Sequence, residues 1–287
     1  MKNILRLSMV GLVMLSSCKK EHNNNVVNTS DKKYQITFNL NNEEQLSATN
    51  KLKVNAATPI NSHVLKHLLY SVYSGSTVVH SITQDSTASN YGSITDALSP
   101  GTYSIVFLAS KLPIQVDQGE FVYLPILFDD FFYKKFDITV NGSNINQPVT
   151  LGRVAGKLQI VIQDTIPADV TSINVSYQDE KRFSVFSGFS PNQIASTTFS
   201  TNLKPIDAGK PNYTFGNLVY NFFNTLAVTI TPVSKTKQWP SVTVPNVYVR
   251  RNQVTVLSGG LFSPTKHNAG FQITLNPDWD VITNTPY

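Results

Sequence analysis

His63 and His67 stand four residues apart, a spacing that on a helix would set two imidazoles on one face, as in zinc proteases of the H-E-x-x-H kind. Val64 occupies the place of the glutamate, so the general base is missing, and Lys66 would put a cation beside the metal. Gly152-Arg153-Val154-Ala155-Gly156-Lys157 echoes a phosphate loop. It is one residue short, has Leu158 where a serine or threonine must hold Mg²⁺, and runs straight into an apolar strand. The carboxylate pairs Asp129-Asp130 and Asp278-Trp279-Asp280 offer the oxygens that calcium or glycoside chemistry would use, but paired acids in loops are ordinarily solvated. There is no G-x-S-x-G elbow to present a nucleophile. The sequence thus points to no enzyme, no metal and no cofactor.

Cys18 is the one cysteine in 287 residues, and it closes a nine-residue apolar run, residues 7–15, through Ser16-Ser17. Lys2 and Arg6 precede the run as a positive n-region. Nine residues are too few to span a bilayer, which takes roughly 20 at about 1.5 Å of helix rise each. The segment 1–17 resembles a bacterial lipoprotein signal, cleaved before Cys18 so that the cysteine carries acyl chains such as palmitate. Several chains on one residue hold a protein at a membrane durably. A thiol consumed by lipid is neither a nucleophile nor half of a disulfide, so an exported protein of this kind depends on its hydrophobic core.

Loss of the signal removes Lys2 and Arg6 and lowers the formal charge by two, from +5 to +3. Lys and Arg are scattered singly or in pairs, which speaks against nucleic acid as a partner. Only 14% of residues are charged, while Thr, Ser, Asn and β-branched and aromatic residues abound, the composition of strands and polar turns. Residues 19–33 have no aromatic residue and little apolar content, and form a flexible tether that would hold the body roughly 20 Å from the lipid.

Alternation starts immediately afterwards. Tyr34-Gln35-Ile36-Thr37-Phe38-Asn39 places apolar side chains at i, i+2 and i+4. The same pattern returns at Phe136-Asp137-Ile138-Thr139-Val140-Asn141 and, 135 residues later, at Phe271-Gln272-Ile273-Thr274-Leu275-Asn276. Either amphipathic strands draw on few residue types, or a β unit is duplicated with one copy closing each half. A cluster of turn formers at residues 141–148 suggests the boundary between units 34–150 and 151–287. Further strands are expected at 67–74, 77–83 and 102–109, then at 153–163, 171–177, 183–186, 214–222, 226–232, 242–249, 253–261 and 270–275. The one ambiguous helical turn is 64–69. Many short strands between turn signals predict an all-β protein of two tandem β-sandwiches.

Leu151-Gly152-Arg153-Val154-Ala155-Gly156-Lys157-Leu158-Gln159-Ile160, residues 164–167, and Val256-Leu257-Ser258-Gly259-Gly260-Leu261-Phe262 leading into 271–279 resemble the fimbrillin family of type V pilus subunits, including its lipoprotein anchors. The Pro100-Gly101-Thr102-Tyr103 strand start is common in transthyretin-like domains. The resemblance implies two transthyretin-like β-sandwiches, a lipid anchor at Cys18 in the outer membrane with the body exposed at the surface, and other fimbrial subunits as partners. It implies assembly by strand complementation, in which a donor strand fills a neighbour's incomplete sheet. Polymerising members are cut after an arginine near the N-terminus, whereas this chain has none between Cys18 and Arg153, which favours an anchor or accessory subunit. Arg250-Arg251, the one arginine pair, reads as a solvent turn. The donor or docking candidates are Phe271, Ile273, Leu275 and Trp279.

The aromatic run Phe128, Phe131, Phe132, Tyr133 and Phe136 reads mainly as core packing. An alternative function, a surface lipoprotein that captures glycan or a host surface, would use exposed aromatics such as Trp239 or Tyr133.

Overall fold

The computed structural model describes residues 32–42, 58–60, 65–117, 121–123, 130–189, 194–221, 224–263 and 270–276. The signal, Cys18, the tether as far as residue 31, His63, Phe128, Asp129, Asp278, Trp279 and Asp280 lie outside the described residues. Strands dominate from the first described segment. The first half contains β1 (Tyr34–Asn42), β2 (Thr58–Pro59), β3 (His67–Ser74), β4 (Thr77–Asp85), β5 (Ser93–Leu98), β6 (Gly101–Ser110), β7 (Val116–Asp117), β8 (Phe121–Tyr123), β9 (Phe131–Val140) and β10 (Ile145–Arg153). The second contains β11 (Gly156–Ile162), β12 (Val170–Glu180), β13 (Arg182–Ser184), β14 (Ile194–Asn202), β15 (Tyr213–Val219), β16 (Leu226–Ser234), β17 (Val242–Val247), β18 (Val254–Gly259) and β19 (Gln272–Asn276).

Period-two alternation decides which face of each strand is buried. Ile36, Phe38 and Leu40 of β1 point into a core that also takes Ile94 and Leu98 from β5, Leu68, Tyr70 and Val72 from β3, and Ile105 and Phe107 from β6. Rings tile its centre: Phe38 meets Phe107 edge-on at 5.3 Å and Tyr70 at 5.9 Å. The second core is lined by Leu158, Ile160 and Ile162 of β11, Ile173 and Val175 of β12, Val228 and Ile230 of β16, and Leu257 of β18. A third cluster joins the halves. Leu69, Tyr73, Val106, Leu108 and Phe131 on the outer face of the β3-β6-β9 sheet pack against Val154, Ala155, Phe183, Val185, Tyr220 and Val254. Burial on both faces explains why β3 and β6 read as near-continuous apolar runs in place of clean alternation.

The two sandwiches share one connectivity. In the first, β1 pairs antiparallel with β5 and parallel with β10, β3 lies between β4 and β6, and β6 pairs with β9. In the second, β11 pairs antiparallel with β15 and parallel with β18, β12 lies between β14 and β16, and β16 pairs with β17. Strands β1, β3, β4, β5, β6, β9 and β10 therefore correspond in order to β11, β12, β14, β15, β16, β17 and β18. The sequence echo between residues 136–141 and 271–276 does not follow this correspondence. Residues 136–140 lie on β9, whose counterpart is β17, whereas residues 272–276 form β19, an additional strand on the free side of β18. The echo reflects the few residue types that suit an amphipathic strand, while the duplication lies in the topology.

Three local expectations change. The turn formers at 141–148 make a turn only at 141–144. Ile145 opens β10, which runs parallel to β1 and buries Val149 and Leu151 by alternation. The strand expected over 153–163 is broken at Val154-Ala155, where the chain leaves one sandwich for the other and both side chains enter the joining cluster. At the 64–69 turn, Leu65 and Lys66 are irregular and His67 opens β3.

Candidate functional site: the β19 edge and the cleft between the sandwiches

β19 forms five ladder pairs with β18, among them Leu257 with Ile273 and Thr255 with Leu275. Paired residues project from the same face, so Ile273 and Leu275 stand on the side of Leu257, which is fully buried in the second core. They nevertheless remain 43% and 42% exposed. Phe271, two residues earlier, packs against that core, and a Cβ at Gly259 would lie 2.7 Å from its ring, so only glycine admits the close approach. Among the described residues β19 pairs only with β18, and its outer backbone edge continues the sheet order β15-β11-β18-β19. Contacts between Phe199 of β14 and Phe215 of β15 close one side of this sandwich, which leaves β17 and β19 as the two edges of the other. β17 is blunted by Pro245 and by Asn246 at φ +58°, whereas β19 carries neither device.

A carboxylate holds the turn that leads towards β19. Asp164 accepts backbone N–H bonds from Leu261, Phe262 and Ser263 on one oxygen, at 2.5, 2.7 and 3.1 Å, and is itself buried. Phe262 then stands edge-on to Trp239 at 5.1 Å. Trp239 is half-buried against the second core, with the Lys237 ammonium 3.4 Å from its ring centre, so it acts in packing and not as an open platform.

The second feature lies where the halves meet. Tyr133 on β9 donates its O–H to the Val185 carbonyl at 2.7 Å and packs edge-on to Phe183 at 5.1 Å. Burial pushes its hydroxyl pKa up. Gly188 adopts φ +74°, and a Cβ there would sit 2.8 Å from the Tyr133 ring. Arg251 donates to the Gly188 carbonyl at 2.7 Å and lies 5.4 Å from the Phe189 ring centre. The turn at Arg250-Arg251 is thus only half a solvent turn: Arg250 is exposed, while Arg251 is drawn down onto the opposite loop and its burial lowers its pKa. Nearby, the buried Arg153 bonds Asp130 at 2.8 Å and the Asn252 side chain at 3.2 Å, tying the end of β10 to the turn before β18. The acid pair at 129–130 therefore contributes a structural ion pair through its described member.

Two further polar groups escaped sequence reasoning because their partners are distant along the chain. Asp96 on β5 accepts from the Tyr70 hydroxyl at 3.1 Å and bonds His80 Nδ1 at 2.8 Å, pinning the facing sheets of the first sandwich. Burial, then the Asp96 charge, raises the Tyr70 pKa. Asp179, fully buried, accepts the backbone N–H groups of Tyr220 and Glu180, each at 2.9 Å, and burial pushes its pKa up to about 7. Among the described residues no group of three or more His, Cys, Asp and Glu side chains is placed to hold a metal.

The fold has close relatives in shape but not in sequence. The fimbrial anchor protein Mfa2 from Porphyromonas gingivalis superposes with a TM-score of 0.54 at 9% identity, over 85% of this chain and 98% of that one. A Bacteroides thetaiotaomicron structure from a group proposed to bind polysaccharide (DUF1812) gives 0.53 at 7% identity over 85% and 96%. An adhesin candidate from Bacteroides ovatus gives 0.51 at 10% identity over 85% and 92%. The two-sandwich, all-β fold expected from the fimbrillin resemblance is therefore the fold of this chain. No curated protein sequence matches it. Residues 112–283, more than half of the chain, match the family described as a family of unknown function (DUF6562), and the chain belongs to that family.

Proposed function

We propose that this protein is a non-enzymatic, surface-exposed fimbrial subunit, anchored in the outer membrane through acylated Cys18 and joined to other subunits by strand addition at the β19 edge. The observation that carries the reading is the pair Ile273 and Leu275: apolar, turned to the core side of the sheet, and more than 40% exposed on a strand beyond the seven-strand plan common to both halves. Backbone groups on an uncovered edge recruit another strand, and alternate apolar side chains set its register. Mfa2 is a fimbrial anchor protein, and its shared fold supports the same class of role here. The absence of arginine between Cys18 and Arg153 favours an anchor or accessory subunit that keeps its lipid. The division into units 34–150 and 151–287 belongs to the same reading, with β10 carrying the first unit on to Arg153 and Trp279 continuing the docking segment.

The test uses the full chain expressed with its native neighbours. Ile273→Glu with Leu275→Glu places two charges on the strand and should abolish recovery of the protein in a detergent-resistant polymer, while its melting temperature and far-UV circular dichroism stay as in wild type. Undiminished recovery of the double variant would sink the edge assignment. Cys18→Ala should release the assembly from cells, and an unacylated N-terminus in intact-mass spectrometry of the wild type would contradict the anchor.

A further inference from the structure

We propose that the cleft between β9 and the loop after β13 binds an acidic saccharide, a chain of hexose units bearing carboxylates. The cleft is an open depression of about 420 Å³, comparable in size to small-ligand sites. Lys135 and Arg251 line it with one carboxylate, Asp137, which already accepts from the Ser104 hydroxyl at 2.5 Å, whereas Lys134 alternates to the face of Phe132 and Phe136. A concave site with such an excess of positive charge concentrates anions. The side chain at its mouth is Phe189, 52% exposed, with the Arg251 guanidinium beside its ring. An aromatic face next to a cation suits a ring with an apolar C–H face and a carboxylate on its rim, and the Ser187 hydroxyl lines the same cleft for a sugar hydroxyl.

The site is built before any ligand arrives. The Tyr133 bond to Val185, the Arg251 bond to Gly188 and the Lys135 ammonium 3.8 Å from the Phe186 ring centre fix residues 185–188 onto the sheet, so little ordering cost remains there at binding. An acidic peptide would present carboxylates too, and extended peptides are held mainly through a free backbone edge. Among the described residues β9 pairs with β6 on one side and, beyond Tyr133, with no strand on the other, so the choice rests on Phe189 beside Arg251, a ring contact that a carboxylate-bearing peptide does not match. Recognition there falls to charge and ring contact, which favours the saccharide.

Calorimetry on the isolated full chain decides it, with tetragalacturonate, neutral maltotetraose and tetraglutamate as probes. Tetragalacturonate should bind, more weakly as salt is raised, and maltotetraose at least about tenfold more weakly. Lys135→Gln and Phe189→Ser should each lower tetragalacturonate affinity about tenfold with the melting temperature unchanged. No heat with tetragalacturonate, equal binding of the neutral sugar, equal or tighter binding of tetraglutamate, or wild-type affinity in both variants would each overturn the proposal. The measurement needs no partner subunit, so its failure leaves strand addition at β19 standing, and failure of strand addition leaves the cleft untouched.

Discussion

Asp179 sits in an environment far from that of a solvated carboxylate. Its pKa rises from an ordinary value of 3.8 in the unfolded chain to about 7 in the fold, mainly because burial penalises the charge. A raised folded pKa means that the native state binds the proton more tightly than the unfolded state does. Its contribution therefore appears as pH falls through about 7 and is complete below about 4. Urea unfolding should give a higher midpoint at pH 5 than at pH 8, and Asp179→Asn, which keeps an acceptor for the Tyr220 and Glu180 N–H groups, should flatten that difference. Equal slopes in the two proteins would contradict the assignment. At Asp164 one carboxylate oxygen answers three N–H donors. Asp164→Ala should cost about 3 kcal/mol in chemical denaturation and speed amide exchange at Leu261, Phe262 and Ser263 first. The stretches at 164–167 and 256–262 were visible in the sequence as strand signatures, and the Asp164 carboxylate joins them in the fold. Asp179 and Asp96 could not be found that way, since each looks like any polar residue of an alternating strand until a distant partner is placed beside it.

Strands were legible where alternation or an apolar run is uninterrupted. β1, β3, β4 and β6 lie where alternation or apolar runs put them, whereas β5 (Ser93–Leu98) and β14 (Ile194–Asn202) were missed because their inward residues are interleaved with Ser, Thr and Asp that read equally well as turn. β10 was hidden by its own first residues, Asn146 and Pro148, whose turn chemistry outweighed the alternation of Val149 and Leu151. At β19 the decisive contact is Phe271 over Gly259. Gly259→Ala sets a methyl carbon 2.7 Å from that ring and should loosen β19 without unfolding the sandwich. Hydrogen exchange should rise at Gln272, Thr274 and Asn276 while Val228 and Ile230 in β16 keep wild-type protection. Uniform loss of protection across both sheets would show that β19 is integral to the fold and not an appended strand.

Across the whole molecule the third cluster makes two sandwiches into one body, and Arg153 is its charged fastener. Arg153→Met removes the ion pair with Asp130 and should cost about 3 kcal/mol. Adding Asp130→Leu should recover part of that loss, as coupled neighbours do. A single variant as stable as wild type would place the ion pair outside the joint. The shared connectivity of the halves was invisible in the sequence because equivalent strands, such as β9 and β17, retain no common residue pattern, while β9 and β19, which do, are not equivalent. That mismatch singles out β19 as the strand added to a duplicated plan, with its apolar side chains facing a core they only half enter. A photo-crosslinking amino acid at Leu275 of the full chain, activated in cells that carry its native neighbours, tests this directly. Strand addition predicts a covalent adduct with a second subunit, lost when Ile273→Glu is introduced; crosslinks confined to this chain would contradict it.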